Sequence, residues 1–234
     1  MVLSVNNLSA GYGRVKIVQG VSFAVKPGEI LAVIGRNGVG KSTLMKTLVG
    51  ELPAMGGGIA FLGSDITGRP AHERAHMGVG YVPQGRGIFS RLSVGGNLVM
   101  GETVGRMRRL KANYERVYRF FPVLKERHRQ MAGSFSGGQQ QQLAIGRVLV
   151  GNPDLVLLDE PSEGIQPNIV QEIGRTIRRM GEEEGLTVIV VEQNLDLIRT
   201  AATRCIVMDK GAIVAEIDPK ELDDPAVAKR YLAV

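Results

Sequence analysis

Gly35-Arg36-Asn37-Gly38-Val39-Gly40-Lys41-Ser42 fits the spacing GxxxxGK[ST] at every fixed position, and its flanks decide the fold. The apolar run Glu29–Ile34 before it reads as a buried strand, and a helical pattern through Leu44 and Leu48 follows. In the order strand, glycine-rich loop, helix, this spacing wraps phosphate with backbone N–H groups at a helix N-terminus. Lys41 is expected at the β- and γ-phosphates and Ser42 at Mg²⁺. A chance glycine-rich turn would leave both flanks unexplained.

Working outward, the apolar strand Leu155-Val-Leu-Leu ends in Asp159-Glu160. Asp159 suits the Mg²⁺ shell, and Glu160 suits a base that orients attacking water. Adjacent residues on a strand face opposite ways, so Glu160 can join the site only if the strand has ended or bent there. Thr187–Val191 is a further buried strand, and helical patterns occupy Pro167–Met180 and Leu195–Ala201. Apolar strands alternating with helices predict a mainly parallel sheet covered on both faces. Short strands at Leu3–Asn7, Ile17–Val25 and Gly56–Phe61 predict an antiparallel N-terminal patch. Val94 to about Met131 reads as helical without a strand, inside a helical insertion at about 90–150. The expected fold is α/β: a P-loop NTPase core with a mainly parallel sheet, an N-terminal antiparallel β subdomain and an inserted α-helical subdomain.

The 234 residues make one domain with an insertion, large enough to bury a core without staples. Cys205 is the single cysteine, which excludes an internal disulfide framework. No basic segment followed by an apolar stretch opens the chain, and no apolar run approaches the length of a membrane span. The net charge is +6, and Gly101–Gly133 carries all of it, with nine basic residues against three acidic ones. Such a block reads either as a solvated helical face or as an attraction to an anionic surface. Tyr114, Tyr118, Phe120 and Phe121 are spaced like a buried helix stripe rather than stacking platforms for bases. His72, His76 and His128 lack metal-ligand spacing and read as surface residues.

Phe135-Ser136-Gly137-Gly138-Gln139-Gln140 opens a second glycine-flanked helix, with Ser136 placed as N-cap. One nucleotide needs one phosphate cradle, so this one is spare; alone it would be an ordinary capped helix. In the order phosphate loop, Ser-Gly-Gly-Gln and acidic strand end, the chain resembles the ATP-binding subunit of ABC transporters. That family's signature reads Leu-Ser-Gly-Gly-Gln, and only Phe135 departs from it.

The resemblance spans nearly all of 1–234 as a single ATP-binding domain and implies ATP and Mg²⁺. It implies that Tyr12 stacks on adenine, and that Gly35, Arg36, Asn37, Gly38, Val39, Gly40, Lys41, Ser42 and Thr43 hold the phosphates. Gln84 would sense Mg²⁺ and couple to the membrane partner, joining Ser42 and Asp159 around the metal. Ser136, Gly137, Gly138 and Gln139 would face ATP held by a second copy or a sister subunit. Lys41, Glu160 and Gln193 would carry the catalysis, with Gln193 at the family's switch-histidine position. A neutral amide can donate to the γ-phosphate but cannot shuttle a proton. Gln166 likewise replaces the family's dimer-contact aspartate.

Gly35–Lys41, Val82-Pro-Gln-Gly-Arg86 and Glu163–Arg175 are similar to the branch serving branched-chain amino acid and amide importers, the urea importer's ATPase subunit in particular. The expected function is therefore an ATP hydrolase powering an importer of urea or short-chain amides, or else of branched-chain amino acids. Expected partners are transmembrane permease subunits and, indirectly, a periplasmic or extracellular solute-binding protein, with no nucleic acid. The expected place is cytoplasmic, peripheral on the inner face of the membrane. A soluble ABC-type ATPase acting on nucleic acid or the ribosome rests on the basic block alone. A GTP switch is disfavoured for want of an Asn-Lys-x-Asp motif.

Overall fold

A computed structural model describes residues 1–232. The first sheet is antiparallel: β1 (Leu3–Tyr12), β2 (Val15–Val25), β4 (Ala54–Phe61) and β5 (Ser64–Asp65) lie in the order β2-β1-β4-β5. The second contains β3 (Ile30–Ile34), β6 (Val79–Val82), β7 (Leu155–Asp159), β8 (Thr187–Val191), β9 (Arg204–Asp209) and β10 (Ala212–Ile217). Its order is β10-β9-β3-β8-β7-β6, parallel throughout except for the β9–β10 hairpin at one edge.

Every residue of β3, β7 and β8 is buried, as a sheet covered on both faces requires. Alternation then splits the core. Ile30, Ala32 and Ile34 pack with α6 (Gly137–Leu149), α7 (Pro167–Glu184) and α8 (Leu195–Ala201), while Leu31 and Val33 face the antiparallel sheet and α1 (Lys41–Val49). The phosphate loop leaves β3 from the middle of this sheet. Five parallel strands thus deliver their carboxyl ends to one edge, the place where open α/β sheets bind ligands.

α1 starts after Gly40, whose φ of 106° would strain any other residue. Its C-terminal carbonyls are closed by Arg74 of α2 (Ala71–Met77), a buried guanidinium donating to Thr47 O and Leu48 O at 2.8 Å each. A cation at that end also complements the helix dipole. No local pattern signals this cap, because the contact lies 27 residues away.

The segment expected to be helical from Val94 to about Met131 is broken. It forms α3 (Val94–Met107), α4 (Tyr114–Phe120) and α5 (Pro122–Glu126), and Ser93 bridges Met131 at its base. Pro122 separates α4 from α5, because proline cannot continue the preceding helix's hydrogen bonding. Phe120 and Phe121 are buried as the stripe predicted, with Tyr114 and Tyr118 packed partly against the same core. The basic block proves to be two populations. Arg108 reaches Asp154 and Asn152 O at 2.5 Å each, and Arg116 and Arg119 both pair with Glu184 at the end of α7. Arg109, Lys111, Lys125, Arg127 and Arg129 are exposed. Three of the nine basic residues therefore fasten the insertion to the core. α9 (Pro225–Leu232) closes the described chain. Among the described residues, no helix is long and apolar enough to cross a membrane.

Candidate nucleotide site

Gly35, Gly38 and Gly40 all have positive φ, backbone that glycine adopts without strain and that a phosphate-wrapping loop requires. At Gly35 a Cβ would lie 2.3 Å from Met208 O, so only glycine lets β9 pass this close. Val39 is buried and its carbonyl accepts from Gly211 N at 2.9 Å, which fastens the loop to the β9–β10 turn. Arg36, Asn37 and Gly38 are exposed at the loop's crest, Ser42 is half-buried, and Thr43 is buried inside α1.

The buried Lys41 ammonium donates back to Gly35 O at 2.7 Å and to Arg36 O at 2.9 Å. Burial lowers its pKa, opposed by the charges of Glu160, Asp159 and Glu192. The loop is thus prefolded around its own lysine, which can exchange two carbonyls for phosphate oxygens.

Asp159 ends β7 and is only 3% exposed. Tyr81 O–H donates to its Oδ2 at 3.4 Å, while Oδ1 is buried with no hydrogen-bond partner. Burial, reinforced by the Glu160 charge, pushes its pKa up to about 6. An orphaned buried carboxylate oxygen beside a phosphate loop fits a divalent cation, and the oxygen donors of Ser42 and Gln84 suit Mg²⁺.

Glu160 has a φ of 47°, the bend the sequence required of it. Its backbone N–H still bonds to Val191 O at 2.9 Å, but its carboxylate turns into the loop cluster. Gln193 Nε2 donates to Oε1 at 3.0 Å and Gln84 Nε2 to Oε2 at 3.3 Å. Gln193 also donates to Asn37 Oδ1 at 2.7 Å, joining the phosphate loop to the carboxylate. Residues following β3, β6, β7 and β8 therefore form one cluster, with the Glu160 carboxylate bonded to Gln84 and Gln193 and Asn37 joined through Gln193.

Tyr12 stands half-exposed near the end of β1. Ile17 of the same hairpin lies 3.3 Å from where a Cβ on Gly40 would sit, so the hairpin borders the loop. The Ser136 turn keeps different company. Ser136 Oγ accepts from Gln139 N at 3.4 Å and Gln139 Oε1 accepts from Ser136 N at 3.2 Å, a capping box that opens α6. Gly137 packs beside Arg86 and Gly164, and Gly138 beside Ile169. Ser136 itself is exposed, so the turn is presented outward.

Sequence reading passed over Glu192. Its carboxylate, 3% exposed, accepts from Ser162 N at 3.1 Å, Gln193 N at 2.7 Å and Asn194 N at 2.9 Å. It ties the loop after Glu160 to the loop carrying Gln193. Only the apolar run before it, Thr187–Val191, hinted that a charge at the strand end would need partners. Cys205 is a buried free thiol whose pKa burial pushes up to about 12.

Residues 18–163 match the ABC transporter family. Over 232 residues the chain is 42% identical to the high-affinity branched-chain amino acid transport ATP-binding protein BraG of Pseudomonas aeruginosa, covering 99% of each chain. It is 35% identical over 236 residues to the lipopolysaccharide export system ATP-binding protein LptB of Escherichia coli, covering 98% of this chain and 96% of LptB. Among solved structures, the ADP conformation of MJ1267, an ATP-binding cassette of an ABC transporter, matches with a TM-score of 0.84 at 29% identity over 97% of both chains. The chain belongs to the ABC transporter family, as an ATP-binding subunit that hydrolyses ATP.

Proposed function

We propose that this chain powers an importer of branched-chain amino acids, working as a dimer on permease subunits at the inner face of the membrane. The observation that carries the hydrolytic half is the Glu160 carboxylate held between the Gln84 and Gln193 amides. The solute half rests on the 42% identity to BraG along nearly the whole chain. The relatives named above concern branched-chain amino acids and lipopolysaccharide, so urea and short-chain amides gain no support from them.

In this reading Lys41 leaves Gly35 O and Arg36 O for the β- and γ-phosphates, and Tyr12 covers the adenine. Ser42, Gln84 and Asp159 would hold Mg²⁺, which would supply positive charge against the phosphates. Glu160, held between two amide donors, accepts a hydrogen bond from water and aims it at the γ-phosphorus. Gln193 follows the charge leaving that phosphate from its position between Asn37 and Glu160. Ser136, Gly137, Gly138 and Gln139 reach the nucleotide of the partner subunit, a twin or a sister. A solute-binding protein on the far side of the membrane delivers the cargo.

The permease seat is a groove of about 460 Å³ between the core and the insertion, lined by Tyr81, Phe89, Met100, Val104 and Arg147. Phe89 and Met100 are nearly half exposed there. Met100→Glu should prevent co-purification with the permease while leaving hydrolysis by the isolated chain intact.

The deciding experiment is uptake by proteoliposomes holding the permease, this chain and its solute-binding protein. Radiolabelled leucine should accumulate with ATP and not with Glu160→Gln. Uptake of urea without leucine would restore the amide reading, and uptake of neither would favour another cargo.

A further inference from the structure

Gly85, Arg86 and Gly87 take φ values of 76°, 72° and 58°, three left-handed residues in a row. Glycine adopts that conformation freely; arginine does so at a cost, and such strain concentrates where a side chain has work elsewhere. The Arg86 side chain joins the loop after β7 to the first turn of α6. Nη2 donates to Glu163 O at 2.9 Å, and Nη1 to Gln140 Oε1 at 3.4 Å. Gln140 in turn donates to Phe135 O at 3.0 Å, holding the residue just before the Ser136 turn. A Cβ on Gly137 would lie 3.1 Å from Arg86 Nη2, so the guanidinium rests against the turn itself. On the other side, Gln84 is two residues away on the Glu160 carboxylate, and Glu163 N bonds to Glu160 O at 3.2 Å.

We propose that Arg86 is a positioning residue that links this chain's own hydrolytic loop to the Ser136–Gly138 turn offered to the partner's nucleotide, keeping the two sites of the dimer in register. The inference rests on the two-chain reading above and adds to it the element joining the sites. Arginine's planar fork serves two acceptors, one in a loop and one in α6, at once; a lysine ammonium on a flexible stem does not hold both in fixed geometry.

The test is steady-state hydrolysis by the full-length chain across ATP concentrations, with fluorescent-ATP binding to dilute monomer and thermal melting alongside. Arg86→Gly relieves the backbone, so its melting temperature should equal or exceed wild type. Its monomer affinity for ATP should stay within about twofold, while the Hill coefficient falls from about 2 toward 1 and kcat drops about tenfold or more. Arg86→Lys should lose cooperativity as well. Wild-type cooperativity and kcat in Arg86→Gly would overturn the proposal, as would a collapse of its melting temperature, the mark of a merely structural residue. Ser136→Arg separates the two readings. If it abolishes cooperative hydrolysis while Arg86→Gly behaves as wild type, only the Arg86 link fails; if Ser136→Arg hydrolyses with the rate and cooperativity of wild type, the two-chain reading fails and takes the link with it.

Discussion

Gln193 Nε2 lies 3.0 Å from Glu160 Oε1 and 2.7 Å from Asn37 Oδ1, so one amide group spans the carboxylate and the phosphate loop. Its two hydrogens are both used, and neither can be transferred. The side chain therefore orients the carboxylate and leaves proton acceptance to Glu160.

From this, Gln193→Ala should lower kcat by about tenfold or more, less than the roughly 10²–10⁴-fold a general base itself supplies. Gln193→His should be tolerated, because one ring N–H can replace the donor to Glu160. Single-turnover hydrolysis distinguishes the three, and equal rates would reject the orienting role.

Glu160→Gln keeps the shape of the site and removes its charge. The variant should bind ATP and stay dimeric in excess nucleotide, with hydrolysis reduced by about 100-fold or more. Light scattering with and without ATP reads the mass; a monomer under both conditions contradicts the sandwich.

Asp159 carries a pH prediction. Its pKa in the folded chain, about 6, lies above the ordinary 3.8, so the native state binds more protons than the unfolded state between those values. Stability without nucleotide should therefore fall as pH rises from 4 to 6, and Asp159→Asn should remove that slope. Above that window the variant should gain about 1–2 kcal/mol, after a discount for solvent screening, and lose the gain near pH 4. Denaturant melts across pH check it; a slope unchanged in the variant would assign the titration elsewhere.

Glu192→Gln tests the tie between loops. The amide oxygen can still accept from Gln193 N and Asn194 N, but its NH₂ would then face the Ser162 N–H. A buried donor left without an acceptor costs about 1–3 kcal/mol. Kinetics should show a lower kcat with little change in KM, since the phosphate loop is untouched.

The two populations of basic residues should respond differently. Arg108→Ala strips partners from Asp154 and Asn152 O and should destabilise the fold by about 1–2 kcal/mol. Arg109→Ala, at an exposed site, should leave stability within about 0.5 kcal/mol. Equal effects would contradict the division.

The phosphate loop, the alternation of buried strands and helices, the capped start of α6 and the Asp159-Glu160 pair were all legible in the sequence, because each is written in short-range spacing. Thr187–Val191 and Leu195–Ala201 matched their elements to the residue, each bounded by a clear change of pattern. The two-residue β5 and the breaks within Val94–Met131 were not legible: a ladder that short has no period, and helix packing set the breaks. Only the tertiary structure brought Asn37, Gln84, Glu160 and Gln193 together, decided that Glu192 is shared between two loops, and divided the basic block into fastened and free charges. The reason is geometric: a parallel sheet gathers the ends of strands distant in sequence along one edge, and no local pattern encodes which side chains meet there.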